Sequence, residues 1–128
     1  MVVDASAIVA ILLREPGWDG LRDKLLGATP CVVPAPALLE CQIALTWHRF
    51  ESTAKVVAEF PRAFGCKVAA FTADDAALAC QAFLAFGKGR HPAQLNFGDC
   101  MSYAVAKRMR LPLLFVGEDF ALTDAVPA

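Results

Sequence analysis

The chain lacks any apolar run approaching the roughly 18 residues that a membrane span requires, and it has no CxxC pair. Met1 is not followed by the basic segment and small-residue cleavage site of a secretory leader. These absences exclude a membrane partner and a zinc knuckle from the expectations, and the expected compartment is the cytoplasm. Net charge is nearly absent as well: 12 Lys and Arg against 13 Asp and Glu leave −1. No global field then draws the chain to nucleic acid, and binding of that kind must come from local patches. Neither an internal repeat nor a linker interrupts the sequence. The 128 residues are expected to form one domain, 1–128, large enough for a real core.

What is abundant is apolar surface. Hydrophobic residues make up 57% of the chain, which implies either a generous core or an apolar face that meets a partner. The five cysteines (Cys31, Cys41, Cys66, Cys80, Cys100) are odd in number, widely spaced and set among apolar neighbours. They read as reduced core thiols rather than a disulfide frame or metal ligands.

Strand and helix signals alternate along the chain. Val2-Val3 is a short β-branched strand, followed by a helix over Ala5–Leu13, a break at Pro16-Gly17 and a second helix over Trp18–Leu26 ending at Gly27. Cys31-Val32-Val33 reads as a strand closed by Pro34, with Pro36 in the first turn of a helix reaching Arg49. A further helix covers Ser52–Phe64, and Lys67–Phe71 reads as the third strand. The next helix begins at Thr72 or Ala73, with Asp74 and Asp75 in its first turn, and stops at Gly87. "GKGRHPAQLNFG" is a Gly/Pro-rich loop carrying Lys88, Arg90 and His91, a solvated loop or a phosphate contact. A helix over Asp99–Arg110, Pro112 and a strand over Leu113–Val116 follow. Such alternation implies parallel pairing in an α/β layered fold.

The informative charges are solitary. Asp4 is the sole formal charge in residues 1–13, Glu40 the sole one between Lys24 and Arg49, and Asp99 the sole one between Arg90 and Lys107, histidines aside. Helix capping accounts for Asp99 and serves equally for Asp4. It does not account for Glu40, which stands in mid-helix on a face with Ala37, Ala44 and Trp47, unless a buried donor meets it. Glu118 and Asp119 follow the last strand, and Asp124 comes five residues later. Residues just past parallel strands gather at the carboxyl edge of the sheet, where open α/β sheets bind ligands. Carboxylates converging there without lysine or arginine repel one another, and a hard divalent cation relieves the repulsion. All-oxygen ligation points to Mg²⁺ or Mn²⁺ and to phosphodiester chemistry.

Three stretches, "VVDASAIVAILLREPG", "ALLECQIAL" and "LNFGDCMSYAVAKRMRLPLLFVGEDFALTD", resemble in order and spacing the PIN-domain ribonucleases, most closely the VapC toxins of toxin–antitoxin pairs. The resemblance covers nearly the whole chain. It implies an α/β sandwich with a central, mainly parallel sheet flanked by helices, and an endoribonuclease that depends on Mg²⁺ or Mn²⁺. It further implies RNA cut to 5′-phosphate and 3′-hydroxyl ends without a histidine base, and inhibition by a VapB-type antitoxin. It maps the catalytic and metal-binding acids onto Asp4, Glu40, Asp99 and Asp119, with Ser6 and Asn96 in support and Glu118 and Asp124 as alternatives for the fourth acid. Trp47, Phe50, Phe60 and Phe64 become a homodimer face or an antitoxin groove, with core packing as the alternative. Lys107, Arg108 and Arg110 answer the negative end of their helix, with RNA contact as the alternative. A catalytically inactive PIN-like module that binds RNA or protein is the competing reading. A haloacid-dehalogenase phosphatase is disfavoured because Ser6 stands where its second Asp would be, and a receiver domain because its paired acids and strand-end lysine are missing.

Overall fold

Four short strands, β1 (Val2–Val3), β2 (Val32–Pro34), β3 (Lys67–Ala69) and β4 (Leu113–Leu114), lie at the centre of the computed structural model, which describes residues 1–128. All pair in parallel, in the order β3-β2-β1-β4. Val2 stands opposite both Val32 and Leu113, so β1 is an inner strand. Successive side chains point to opposite faces of a sheet. Val3, Val33 and Leu114 accordingly enter one core, and Val2, Val32 and Leu113 another. An all-parallel sheet of this kind needs helices on both faces. On the first face α1 (Ala5–Leu13), α2 (Trp18–Leu26), α3 (Ala35–Trp47) and α4 (Thr53–Ala63) contribute Ile8, Leu25, Leu45 and Phe60. On the second, α5 (Ala73–Phe86) and α6 (Phe97–Met109) contribute Ala82, Tyr103 and Val105. This is the expected α/β sandwich. No helix is long and apolar enough to cross a membrane.

Element ends shift for local reasons. α6 begins at Phe97, two residues before the expected Asp99, because Asn96 is the N-cap: its side chain accepts the Asp99 N–H at 3.0 Å while Asp99 Oδ2 accepts the Asn96 N–H at 2.7 Å. This reciprocal pair is a capping box. α3 stops at Trp47, and Arg49 beyond it adopts a left-handed φ of 54°.

Two expectations about buried residues need correction. Cys31 and Cys66 are not free thiols: they are joined in a disulfide with Cα atoms 4.5 Å apart. They precede β2 and β3, and adjacent strands bring residues of matching register within that distance. Cys41 and Cys100 are buried free thiols, whereas Cys80 is free and exposed. The aromatic outer face is also largely core. Phe60 is buried against Phe64 with ring centroids 4.6 Å apart, Phe50 and Phe64 are half-buried on the same core, and Trp47 alone is 83% exposed.

Two of the three basic residues at the end of α6, Lys107 and Arg108, form ion pairs. Lys107 Nζ lies 2.6 Å from Asp124, and Arg108 Nε lies 2.5 Å from Asp75, which is fully buried at the start of α5. Burial pushes the Asp75 carboxyl up, but the hydrogen bonds from Arg108 and Thr72 outweigh it and hold the group below its ordinary value of 3.8. Arg108→Met is expected to lower the unfolding free energy by about 2–3 kcal/mol, less than a fully buried pair because the arginine side chain is 34% exposed. Urea unfolding at pH 7 measures the loss. Because the contribution needs ionised Asp75, the gap from wild type should close as pH falls below 3.8.

Candidate metal-binding active site

β1 ends at Val3, and the next residue, Asp4, is the N-cap of α1. Its Oδ2 accepts the Ser6 N–H at 2.9 Å and the Ser6 hydroxyl at 2.6 Å. Ser6 Oγ in turn accepts the Val116 N–H at 3.1 Å, tying the end of β1 to the segment after β4. Asp4 is only 3% exposed, and its other oxygen, Oδ1, is buried with no hydrogen-bond partner. A buried carboxylate oxygen without a donor is costly, and a cation is the usual remedy.

Two helices bring further carboxylates to the same edge. Glu40 rises from the middle of α3, and its carboxyl packs so tightly against Gly98 that a Cβ at that position would overlap it. The missing side chain at Gly98 is therefore what leaves room for Glu40 beside the first turn of α6. One residue on, Asp99 is held by the Asn96 capping box. After β4 the chain turns through Gly117, with φ 104°, and delivers Asp119.

Asp4, Ser6, Glu40, Asn96, Asp99 and Asp119 line one cavity of about 300 Å³. No lysine, arginine or histidine is among its lining residues. Glu118 stays outside the cavity, and Asp124 is engaged elsewhere, accepting from Tyr103 and Lys107 at 2.6 Å each. Lys88, Arg90 and His91 also lie outside it: Arg90 Nε donates to the Leu84 carbonyl, and His91 Nδ1 accepts the Ala93 N–H. The cavity contains one acid absent from the sequence reading, Glu15, at the far end of α1. In the sequence it sits between Arg14 and Pro16-Gly17, where a charge looks like an ordinary turn residue. Its place in the cavity depends on the path of the chain after α1.

Burial, reinforced by uncompensated charge, raises proton affinity here. Burial, and then the charges of Asp4 and Asp99, lift the Glu40 carboxyl from 4.5 to about 7. Burial also lifts Asp99 to about 6, opposed by its hydrogen bond from Asn96 and reinforced by Asp4 and Asp119. No group of three or more of these side chains is gathered tightly enough to hold an ion as it stands. The donor set nevertheless fits a hard divalent ion. It is all oxygen, includes the unpartnered Oδ1 of Asp4, and has Glu40 seated in the space that Gly98 leaves.

A raised carboxyl pKa means that the folded chain binds more protons than the unfolded one between about pH 4.5 and 7. Without divalent ions, stability should fall as pH rises through that window and level off above it. Glu40→Gln is expected to be more stable than wild type at pH 8, by on the order of 2 kcal/mol, and to converge with it near pH 4.5. Thermal unfolding of both proteins in chelator across this range measures the effect; parallel curves would remove the electrostatic account.

Comparison with known proteins identifies the family and the fold. Residues 1–126 match the PIN domain family. Ribonuclease VapC36 of Mycobacterium tuberculosis is 47% identical over 126 residues, covering 97% of this chain and 90% of its own. Ribonuclease VapC42 of the same organism is 42% identical over 130 residues, covering 100% and 98%. Among solved structures, M. tuberculosis VapC20, described as a sarcin-ricin loop cleaving toxin, superposes with a TM-score of 0.79 at 18% identity, covering 99% of this chain and 97% of that one. A chain of a toxin–antitoxin complex from Klebsiella pneumoniae gives 0.69 at 15% identity, covering 99% and 95%; at these identities the likeness is one of fold. With a family match over nearly its full length and close relatives that are VapC ribonucleases, the chain belongs to the PIN-domain family, in its VapC branch.

Proposed function

We propose that the chain is a metal-dependent endoribonuclease, the toxin of a VapBC-type toxin–antitoxin pair, and that Asp4, Glu40, Asp99 and Asp119 hold Mg²⁺ or Mn²⁺ in the acidic cavity. The observation that carries this reading is the Oδ1 of Asp4, buried and without a donor, on a residue that lines a cavity with no cationic side chain. When bound, such an ion would stabilise charge on the scissile phosphate and lower the pKa of a water so that a nucleophile forms nearer neutral pH. The side chains have separate tasks. Ser6 holds Oδ2 of Asp4 and leaves Oδ1 without a hydrogen-bond partner. Asn96 orients Asp99 through the capping box. Glu40 and Asp99, with their raised proton affinity, release protons as the site fills. With the acids uncompensated, the cavity repels a polyanion, so substrate entry is tied to ion binding. No histidine lines the cavity, and the proposed hydrolysis needs none.

Two protein partners belong to the same reading. Leu39, Ile43 and Trp47 form an exposed stripe on one face of α3, and Phe97, Phe83 and Leu84 on α6 and α5 are exposed as well. An apolar surface of this extent supports protein contact, which we assign to a homodimer. A VapB-type antitoxin is the second partner, supported by membership of the VapC branch and by the Klebsiella pneumoniae complex.

Purified protein is expected to cut RNA with Mg²⁺ or Mn²⁺ and to stop in chelator. Asp4→Ala and Asp99→Ala should each lower cleavage about 100-fold or more; wild-type rates in both would sink the site assignment. Gly98→Ala separates fold from chemistry. Its stability should stay within about 1 kcal/mol of wild type, since the displaced group is the flexible end of Glu40 and alanine favours a helix. Cleavage should fall all the same, because the new methyl group occupies the place of the Glu40 carboxyl.

A further inference from the structure

The cavity holds a fifth carboxylate for which the proposed ion site has no use. α1 is nine residues long, so Asp4 and Glu15 stand at opposite ends of it, about 15 Å apart along the helix axis. Both line the same cavity, which therefore runs along α1 past Ala5 and Val9, with Ala44 of α3 opposite. The backbone holds Glu15 in place: its N–H donates to the Ala10 carbonyl and its carbonyl accepts the Trp18 N–H, each at 2.9 Å, after Arg14 turns the chain at φ 55°. Its carboxylate has no ion-pair partner in the chain. The adjacent Arg14 guanidinium lies instead over the Trp18 ring, 5.5 Å from its centroid.

The cavity thus has two differentiated ends. At one, the buried, unpartnered Oδ1 of Asp4 marks the position of an ion and of the phosphate that the ion attracts. At the other, an unpaired carboxylate repels phosphate and accepts hydrogen bonds only. Between them Val9 and Ala44, both partly exposed, offer small apolar side chains on which a flat ring can lie. Unstacked bases of single-stranded RNA are read on their Watson–Crick edges. Guanine alone among the four RNA bases places two donors, N1–H and N2–H, side by side on that edge, matching the two oxygens of a carboxylate. Adenine and cytosine set one amino group beside an acceptor nitrogen, which a second carboxylate oxygen repels, and uracil offers one donor between two carbonyls. We propose that Glu15 reads the base adjoining the scissile phosphate and selects guanine there. The inference rests on the metal-dependent cleavage proposed above.

The test uses a pool of single-stranded RNA octamers randomised at every position, cut with Mn²⁺ by wild type or Glu15→Gln, and sequenced at the new ends. Wild type should show guanine enriched at one position next to the cut. Glu15→Gln should lose the enrichment, with kcat/KM for a guanine octamer falling about tenfold relative to its adenine counterpart. Cutting by wild type without base preference, or a preference kept in the variant, overturns the proposal. Calorimetric titration with Mn²⁺ should give equal affinities for the two proteins; weaker binding by Glu15→Gln makes the residue an ion ligand and overturns base reading. If wild type cuts with neither Mg²⁺ nor Mn²⁺, the ribonuclease reading itself falls and the guanine subsite with it. Cutting without preference removes only the subsite.

Discussion

Carboxylates held together without a cation are the constraint on which this architecture turns. Asp4, Glu40, Asp99 and Asp119 share a cavity that no lysine, arginine or histidine lines, and the cost registers in the raised proton affinities of Glu40 and Asp99. A chain selected only for stability would place a base among them or replace one by an apolar residue. Keeping them unpaired is a local sacrifice of stability that makes chemical sense if an ion completes the site.

The topology explains why the four acids meet. The chain passes from β1 outward to β2 and β3 on one side, then returns to add β4 on the other side of β1. The carboxyl edge between β1 and β4 is thus the point where the strand order reverses, the usual location of a ligand crevice in an open α/β sheet. Asp4 and Asp119 follow these two strands. Glu40 and Asp99 come from α3 and α6, helices that meet beside the same edge, and Gly98 sets how closely they approach. The Ser6 hydroxyl, accepting from Val116 and donating to Asp4, joins the two strand ends directly.

Elsewhere the fold compensates. Two cores cover the two faces of the sheet, the Cys31–Cys66 disulfide joins the starts of β2 and β3, and Arg108 neutralises the buried Asp75. Every buried side-chain polar atom has a partner except Oδ1 of Asp4. That one exception separates the site from the rest of the interior more sharply than any measure of charge density. The capping boxes of α5 and α6 show the contrast: both use an aspartate at the third helical position, but Asp75 is paired with arginine whereas Asp99 faces the acidic cavity.

Segment-level properties were legible in the sequence because they depend on neighbours a few residues away. Alternating strand and helix signals identified a parallel α/β sandwich, and the isolation of Asp4, Glu40 and Asp99 in apolar segments marked them out, since a lone charge in a buried stretch needs a reason. Properties that depend on which segments become neighbours were not legible. Cys31 and Cys66 are separated by 35 residues in the chain, and only the pairing of β2 with β3 brings them together. Phe50, Phe60 and Phe64 face inward because α4 packs on the core, not because their spacing differs from that of an exposed stripe. Glu118, Asp119 and Asp124 are chemically alike and close in sequence; the turn at Gly117 sends Asp119 into the cavity and leaves Glu118 outside, while Tyr103 and Lys107 claim Asp124. Glu15 stands beside the Pro16-Gly17 break, and only the path of the chain after α1 places it in the cavity. The sequence by itself determined the elements and the isolated acids, because propensity and burial patterns act locally. Tertiary structure decided the partners of each group, because charge and sulfur respond to distance in space.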